Sequence, residues 1–180
     1  MADLFRSTAG YTALGAPSKV LSRYAAMALA GRHGQAFFVA PGTSGIEVGN
    51  FSVIPSDNND GRSPFTPLAT VNELIDKMVS GRDDVGILLK EGEYTLDANI
   101  STVKNQITLM AAPGLHPRNC FVVGIAGGHA MEFQGLETTL VGFEIDGGDA
   151  AFAACVLRGR FSKALGMHFT AGGATPAYGL

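Results

Sequence analysis

The sequence predicts a mainly β protein: a short β-solenoid, with an N-terminal arm and helix and a helix that caps one end. Three observations lead there. Residues 131–148 (MEFQGLETTLVGFEIDGG) lie over residues 155–172 (CVLRGRFSKALGMHFTAG) at an offset of 24 with no gap. The chain has 24 glycines but only 16% charged residues, against about 25% in an average domain, which favours many short strands and tight turns. After Gly81, short apolar runs follow one another with turn residues between them.

The elements follow in order. Residues 1 to about 15 are small and polar, with isolated Phe5, Tyr11 and Leu14, and read as an extended arm. Pro17 suits a first helical position; Val20, Leu21, Tyr24, Ala25, Met27 and Ala28 recur at helical spacing, and Gly31 can end the helix. Residues 1–35 therefore form an arm and amphipathic helix, and residues 36–180 the β domain. GQAFFVAPGTSG opens strand-and-turn sequence, and IEVGNFSVI (46–54) alternates roughly, with Ile46, Val48, Phe51 and Val53 on its faces. Thr70 with Glu73 is a capping box; Val71, Leu74, Ile75 and Met78 then give a short amphipathic helix, about 70–80, ending at Gly81. The strands VGILL, EYTL, QITLM, CFVVG, AMEF, TLVGFEI, ACVL and ALGMHF complete the chain.

In the repeat, Gly135 falls on Gly159, Gly142 on Gly166 and Gly148 on Gly172. Met131 falls on Cys155, Phe133 on Leu157, Val141 on Leu165, Phe143 on Met167 and Ile145 on Phe169. A further step back of 24 places residues 107–124 as a third, partial copy, with Ile107, Leu109, Phe121 and Gly124 in register and prolines in the middle. A fixed period of this size, without helices, is the mark of a solenoid whose rungs bury their apolar sides only by stacking.

With these elements in view, the chain resembles a known pattern. Asn59-Asp60-Gly61-Arg62-Ser63-Pro64, then Pro67-Leu68-Ala69-Thr70, a short helix, VGILL and the turn Gly92-Glu93-Tyr94 resemble the opening of right-handed parallel β-helix domains of the pectate-lyase-like superfamily. The resemblance covers about residues 50–172. It implies a right-handed parallel β-helix with coils of about 24 residues and a helix over the first coil. It also implies a setting, since such domains occur in secreted carbohydrate-active proteins and in bacteriophage virion proteins. Free-standing members carry many more coils, so three or four coils imply a covering partner, or a chain that is part of a longer product.

Composition narrows the function. Net charge is −3 and the pI about 5.7, so no basic stripe for nucleic acid is expected. No apolar run reaches the roughly 18 residues of a membrane span, and MADLFRSTAG lacks the order of a signal peptide. Cys120 and Cys155 are expected as free thiols. The Asp57–Gly61 run fails as a calcium loop: with Gly61 sixth, position one is Ser56 and position twelve is Pro67 where a bidentate Glu belongs. His33, His116, His129 and His168 are too scattered for a metal, no G-x-S-x-G elbow occurs, and GIAGGHAMEF reads as a turn between coils. Glu91 and Glu93 flank a turn glycine and read as solvated.

Glu144 and His168 share a site in the repeat, so stacking at roughly 4.8 Å makes them outer-face neighbours, with Asp146 extending the row. An acid beside a histidine can do acid–base chemistry, but an exposed ladder of charge is the plainer reading. No catalytic, cofactor or metal residue is therefore assigned. The expectation is a non-enzymatic bacteriophage structural protein: a capsid decoration (cement) protein, made in the host cytoplasm and placed on the capsid exterior. It is expected to be a homo-oligomer, a trimer, bound to the major capsid protein or another virion protein. Phe5, Tyr11, Leu14, Val20, Leu21 and Tyr24 would anchor it. The alternatives are a tail-fibre or tailspike base, or a small polysaccharide-binding or polysaccharide-degrading protein using Glu144 and His168.

Overall fold

A computed structural model describes residues 34–42, 45–48 and 51–170. The anchors expected in the N-terminal arm and helix lie outside these residues. Fourteen strands and one helix are defined in this part of the chain: β1 (Ala36–Val39), β2 (Ile46–Val48), β3 (Phe51–Val53), α1 (Val71–Lys77), β4 (Val85–Leu88), β5 (Gly92–Thr95), β6 (Ile100–Thr102), β7 (Thr108–Ala111), β8 (Cys120–Val123), β9 (Met131–Phe133), β10 (Thr139–Val141), β11 (Glu144–Asp146), β12 (Cys155–Leu157), β13 (Lys163–Leu165) and β14 (His168–Thr170).

From β4 on, the chain visits three sheets in cyclic order. Their strand orders are β1-β4-β7-β10-β13, β14-β11-β8-β5 and β12-β9-β6, and every pairing within them is parallel. Stacked parallel sheets visited in turn are compatible with a β-solenoid. Among the described residues only β2 and β3 pair antiparallel. IEVGNFSVI thus supplies two strands that pair with each other, and the reversal leaves Phe51 exposed while Val53 is buried.

The outermost two rungs match the sequence repeat. Met131 faces Cys155, Thr139 faces Lys163 and Glu144 faces His168, each a step of 24 residues. The third copy at the same offset is corrected. Met131 faces Ile100, not Ile107, and Thr139 faces Thr108, steps of 31 residues; Ile145 faces Val122, not Phe121. The cause is local. Between β7 and β8 the chain carries Pro113 and Pro117, and Pro117–Asn119 form a 3₁₀ turn capped by the His116 side chain. In the next rung only two residues, Gly142, at φ +69°, and Phe143, lie between the corresponding strands. Gly166, at φ +61°, turns the following corner, so TLVGFEI and ALGMHF each split in two at a glycine that tolerates the left-handed conformation. The strand at Ile100–Thr102 has no counterpart among the sequence-predicted runs.

One apolar core runs up the axis, with Phe37, Leu68, Leu74, Leu109, Phe133 and Phe143 among its buried members. Close stacking leaves no room at certain corners. A Cβ on Gly135 would lie 1.9 Å from the Lys104 carbonyl oxygen, and one on Gly159 would lie 1.6 Å from that of Gly135. The two glycines aligned in the repeat are thus required by backbone contact between successive rungs.

Helix α1 closes the end opposite β12–β14. Its apolar face, Val71, Leu74 and Ile75, is buried in the core, and Asn72 bonds to Asp97 and Ala98 just after β5. Seven residues make a marginal helix alone, so both ends are held from outside. The Thr70 hydroxyl accepts from the Glu73 amide at 3.1 Å, one half of the expected capping box. The other half is replaced. Asp57 accepts from the Ala69 and Thr70 amides and the Thr70 hydroxyl, while Glu73 pairs instead with Lys77. At the C-terminus the helix stops at Lys77, with Met78 already extended, short of the expected Gly81. There the Lys104 ammonium donates to the carbonyls of Ile75, Asp76 and Met78 at 2.6, 2.9 and 2.8 Å. A cation on the last carbonyls also suits the helix dipole.

Beyond α1, Asp84 is fully buried and fully bonded. Arg82 reaches both of its oxygens at 2.7 Å, and the amides of Val79 and Gln35 donate to it. Burial pushes its carboxyl up, but the Arg82, Val79 and Gln35 bonds together outweigh that and hold it below the ordinary range. Asp84 thereby ties the start of β1 to the loop after the helix.

Candidate functional site

Alternation along the strands places side chains in rows on the outside of the stack. On the sheet β14-β11-β8-β5, Glu93, Phe121, Glu144 and His168 stand in register, and Thr95, Val123, Asp146 and Thr170 form the parallel row. The inward positions between them are Tyr94, Val122, Ile145 and Phe169.

Glu144 and His168 are brought together as expected from the repeat. His168 Nδ1 lies 2.9 Å from Glu144 Oε2, but without the alignment of a hydrogen bond, so the contact is one of charge when the imidazole is protonated. The Thr170 hydroxyl donates to Glu144 Oε1 at 3.2 Å. Glu144 is the more buried partner, its side chain 15% exposed against 37% for His168. Below it the row is interrupted, because Phe121 separates Glu144 from Glu93. Glu93 itself sits on β5 and not in a turn, exposed on the outer face. Asp146 lies in the second row, facing Thr170. The arrangement is one acid–histidine pair beside an aromatic ring.

A second outer-face cluster has no counterpart in the sequence reading. On the sheet β12-β9-β6, Glu132 stands between Ser101 and Val156. Arg158 binds Glu132 diagonally, the Ser101 hydroxyl donates to the other oxygen at 3.5 Å, and Gln134 donates to Ser101 at 3.2 Å. The Arg158 bond is the main cause that holds the Glu132 carboxyl below its usual range. The signal was a diagonal, Glu132 to Arg158, whereas the repeat compares only positions directly above one another.

An open concavity of about 430 Å³ lies elsewhere, lined by Glu137, Thr139, Phe161, Ser162 and Lys163. It contains neither Glu144 nor His168. The loop over residues 56–67 turns its polar groups on itself. Asp60 accepts from the Arg62 amide and Thr66 hydroxyl, Asn59 donates to the carbonyls of Ile54 and Pro67, and Gly61 adopts φ +68°. Among the described residues no three His, Cys, Asp or Glu side chains converge to hold a metal, and no helix is long and apolar enough to cross a membrane.

Both cysteines are free. Burial pushes each thiol up to about 12, that of Cys120 inside the core beside Tyr94 and that of Cys155 on the outermost rung. Thiols so far from ionisation are poor nucleophiles.

No family model, curated protein or solved structure matches the chain.

Proposed function

We propose that this chain is a structural protein of a bacteriophage particle, a capsid decoration protein that stabilises the shell through contacts with its own copies and with the shell protein. The observation that carries the reading is the state of the outermost rung. Its inward positions, Leu157, Ala164, Met167 and Phe169, remain half-buried or exposed, whereas Phe133, Leu140, Phe143 and Ile145 one rung below are fully buried. Apolar surface left in that condition favours a protein partner. The stack is then a right-handed parallel β-helix with coils of 23 to 31 residues, an assembly module whose work is contact. The arm residues Phe5, Tyr11, Leu14, Val20, Leu21 and Tyr24 would tie subunits side by side into trimers on the capsid exterior, with no nucleic acid, membrane or catalysis involved. The test is mass spectrometry of purified virions. A fixed ratio of this chain to the shell protein is the expected result, and its absence from particles would overturn the reading.

A second reading is favoured by the Glu144–His168 contact beside Phe121. An aromatic platform with an adjacent acid–histidine pair suits a polysaccharide. Glu144→Gln and His168→Ala should leave any measured glycan turnover or binding unchanged if the structural reading holds, and loss in both would establish the alternative.

A further inference from the structure

The last two rungs of the described stack carry opposite charge. Residues 131–146 hold Glu132, Glu137, Glu144 and Asp146 and no Lys or Arg; residues 155–170 hold Arg158, Arg160, Lys163 and His168 and no acid. Each rung thus complements its neighbour, as the Glu132–Arg158 and Glu144–His168 contacts illustrate. On the outermost rung Arg160 and Lys163 are exposed and enter no ion pair among the described residues. At the helix-capped end Asp76 and Asp97 are exposed in the same condition.

Apolar groups accompany both sets. Phe161 is 74% exposed and holds φ +63°, a left-handed conformation that is uncommon for a bulky residue and costs free energy. Phe169, on β14 of the same rung, is 46% exposed, and Val79 and Val103 are exposed near α1. We propose that the outermost rung is a docking surface for the helix-capped end of a second copy of this chain, with Arg160 and Lys163 facing Asp76 and Asp97 and Phe161 as the apolar anchor. Charge selects this occupant. Residues 1–33 carry Arg6, Lys19, Arg23 and Arg32 against Asp3, residues 171–180 carry no charge, and a two-fold pairing of outermost rungs would set cations against cations. The contact is heterologous and adds copies along the axis of the stack. It stands apart from the side-by-side contacts proposed for the arm, and does not depend on a virion setting.

Sedimentation velocity of the full chain over a concentration series tests this. Self-association should weaken at least about tenfold between roughly 0.05 M and 0.5 M salt. Lys163→Glu and Asp76→Lys should each lose the salt-sensitive association by a similar factor while keeping the wild-type melting temperature. An equimolar mixture of the two should recover it, because the exchanged charges again meet. Phe161→Asn should weaken association without lowering the melting temperature. Salt-independent association, a chain that stays monomeric throughout, or a mixture that fails to recover would each overturn the proposal. Stronger association of Lys163→Glu with no effect of Asp76→Lys would identify pairing of like ends instead.

Discussion

The rung from Met131 to Asp146 and the rung from Cys155 to Thr170 are near copies in sequence but differ in what surrounds them. Phe143 has a rung on either side and is fully buried; its counterpart Met167 has one and is half-buried. The glycine corners, the strand lengths and the inward pattern are alike, so the difference in burial belongs to position in the stack and not to local sequence. In a solenoid each rung is stabilised largely by its neighbours, and a terminal rung has half of them.

That contrast can be pressed by substitution. Phe143→Ala should cost about 3–5 kcal/mol in urea or guanidinium unfolding, while Met167→Ala should cost clearly less, since its site is already partly open. Equal losses at the two positions would mean that something covers the outer rung. At the other end, Asp84→Asn should cost about 3 kcal/mol, because Arg82 and two amides lose a buried carboxylate. Its pH dependence follows from the sign of the shift. The depressed native pKa gives stability that is present above the ordinary Asp value of about 3.9 and lost as pH falls through the native one. Thermal melts from neutral to acid pH should therefore fall more steeply for the parent chain than for Asp84→Asn. The smallest effect is expected at the outer corner, where Phe161→Asn should raise stability by about 0.5–1 kcal/mol by relieving the left-handed backbone of a bulky residue.

How much was legible depends on whether a residue's partner lay at a regular distance. The final two rungs were readable because their corner between strands is two residues in both, Gly142–Phe143 and Gly166–Met167, so the 24-residue step survives. The step to Thr108 was not, because Pro113 and Pro117 lengthen the corresponding corner and apolar matches at 24 arise without contact. Glu144 and His168 were legible as neighbours, since direct stacking follows from the repeat. The Glu132–Arg158 contact runs diagonally and was missed. Thr70 announced the helix cap, but Asp57, thirteen residues earlier, holds the Ala69 and Thr70 amides and the Thr70 hydroxyl through a loop that closes only when Asn59, Asp60 and Gly61 have made their turns. Ile100–Thr102 has one buried apolar residue and little strand pattern; it becomes a strand because β9 pairs with it.

The three bonds of Lys104 have a consequence for motion. They join the last turn of α1 to the corner between β6 and β7, so that the helix cannot lift away while that corner stays in place without exposing three carbonyls and an ammonium to separate hydration. The lid and the first corner it covers therefore open as one cooperative unit. In native-state hydrogen exchange, the Leu74 and Met78 amides should share a single opening free energy with the corner amides at Lys104 and Asn105, the two regions reporting one event.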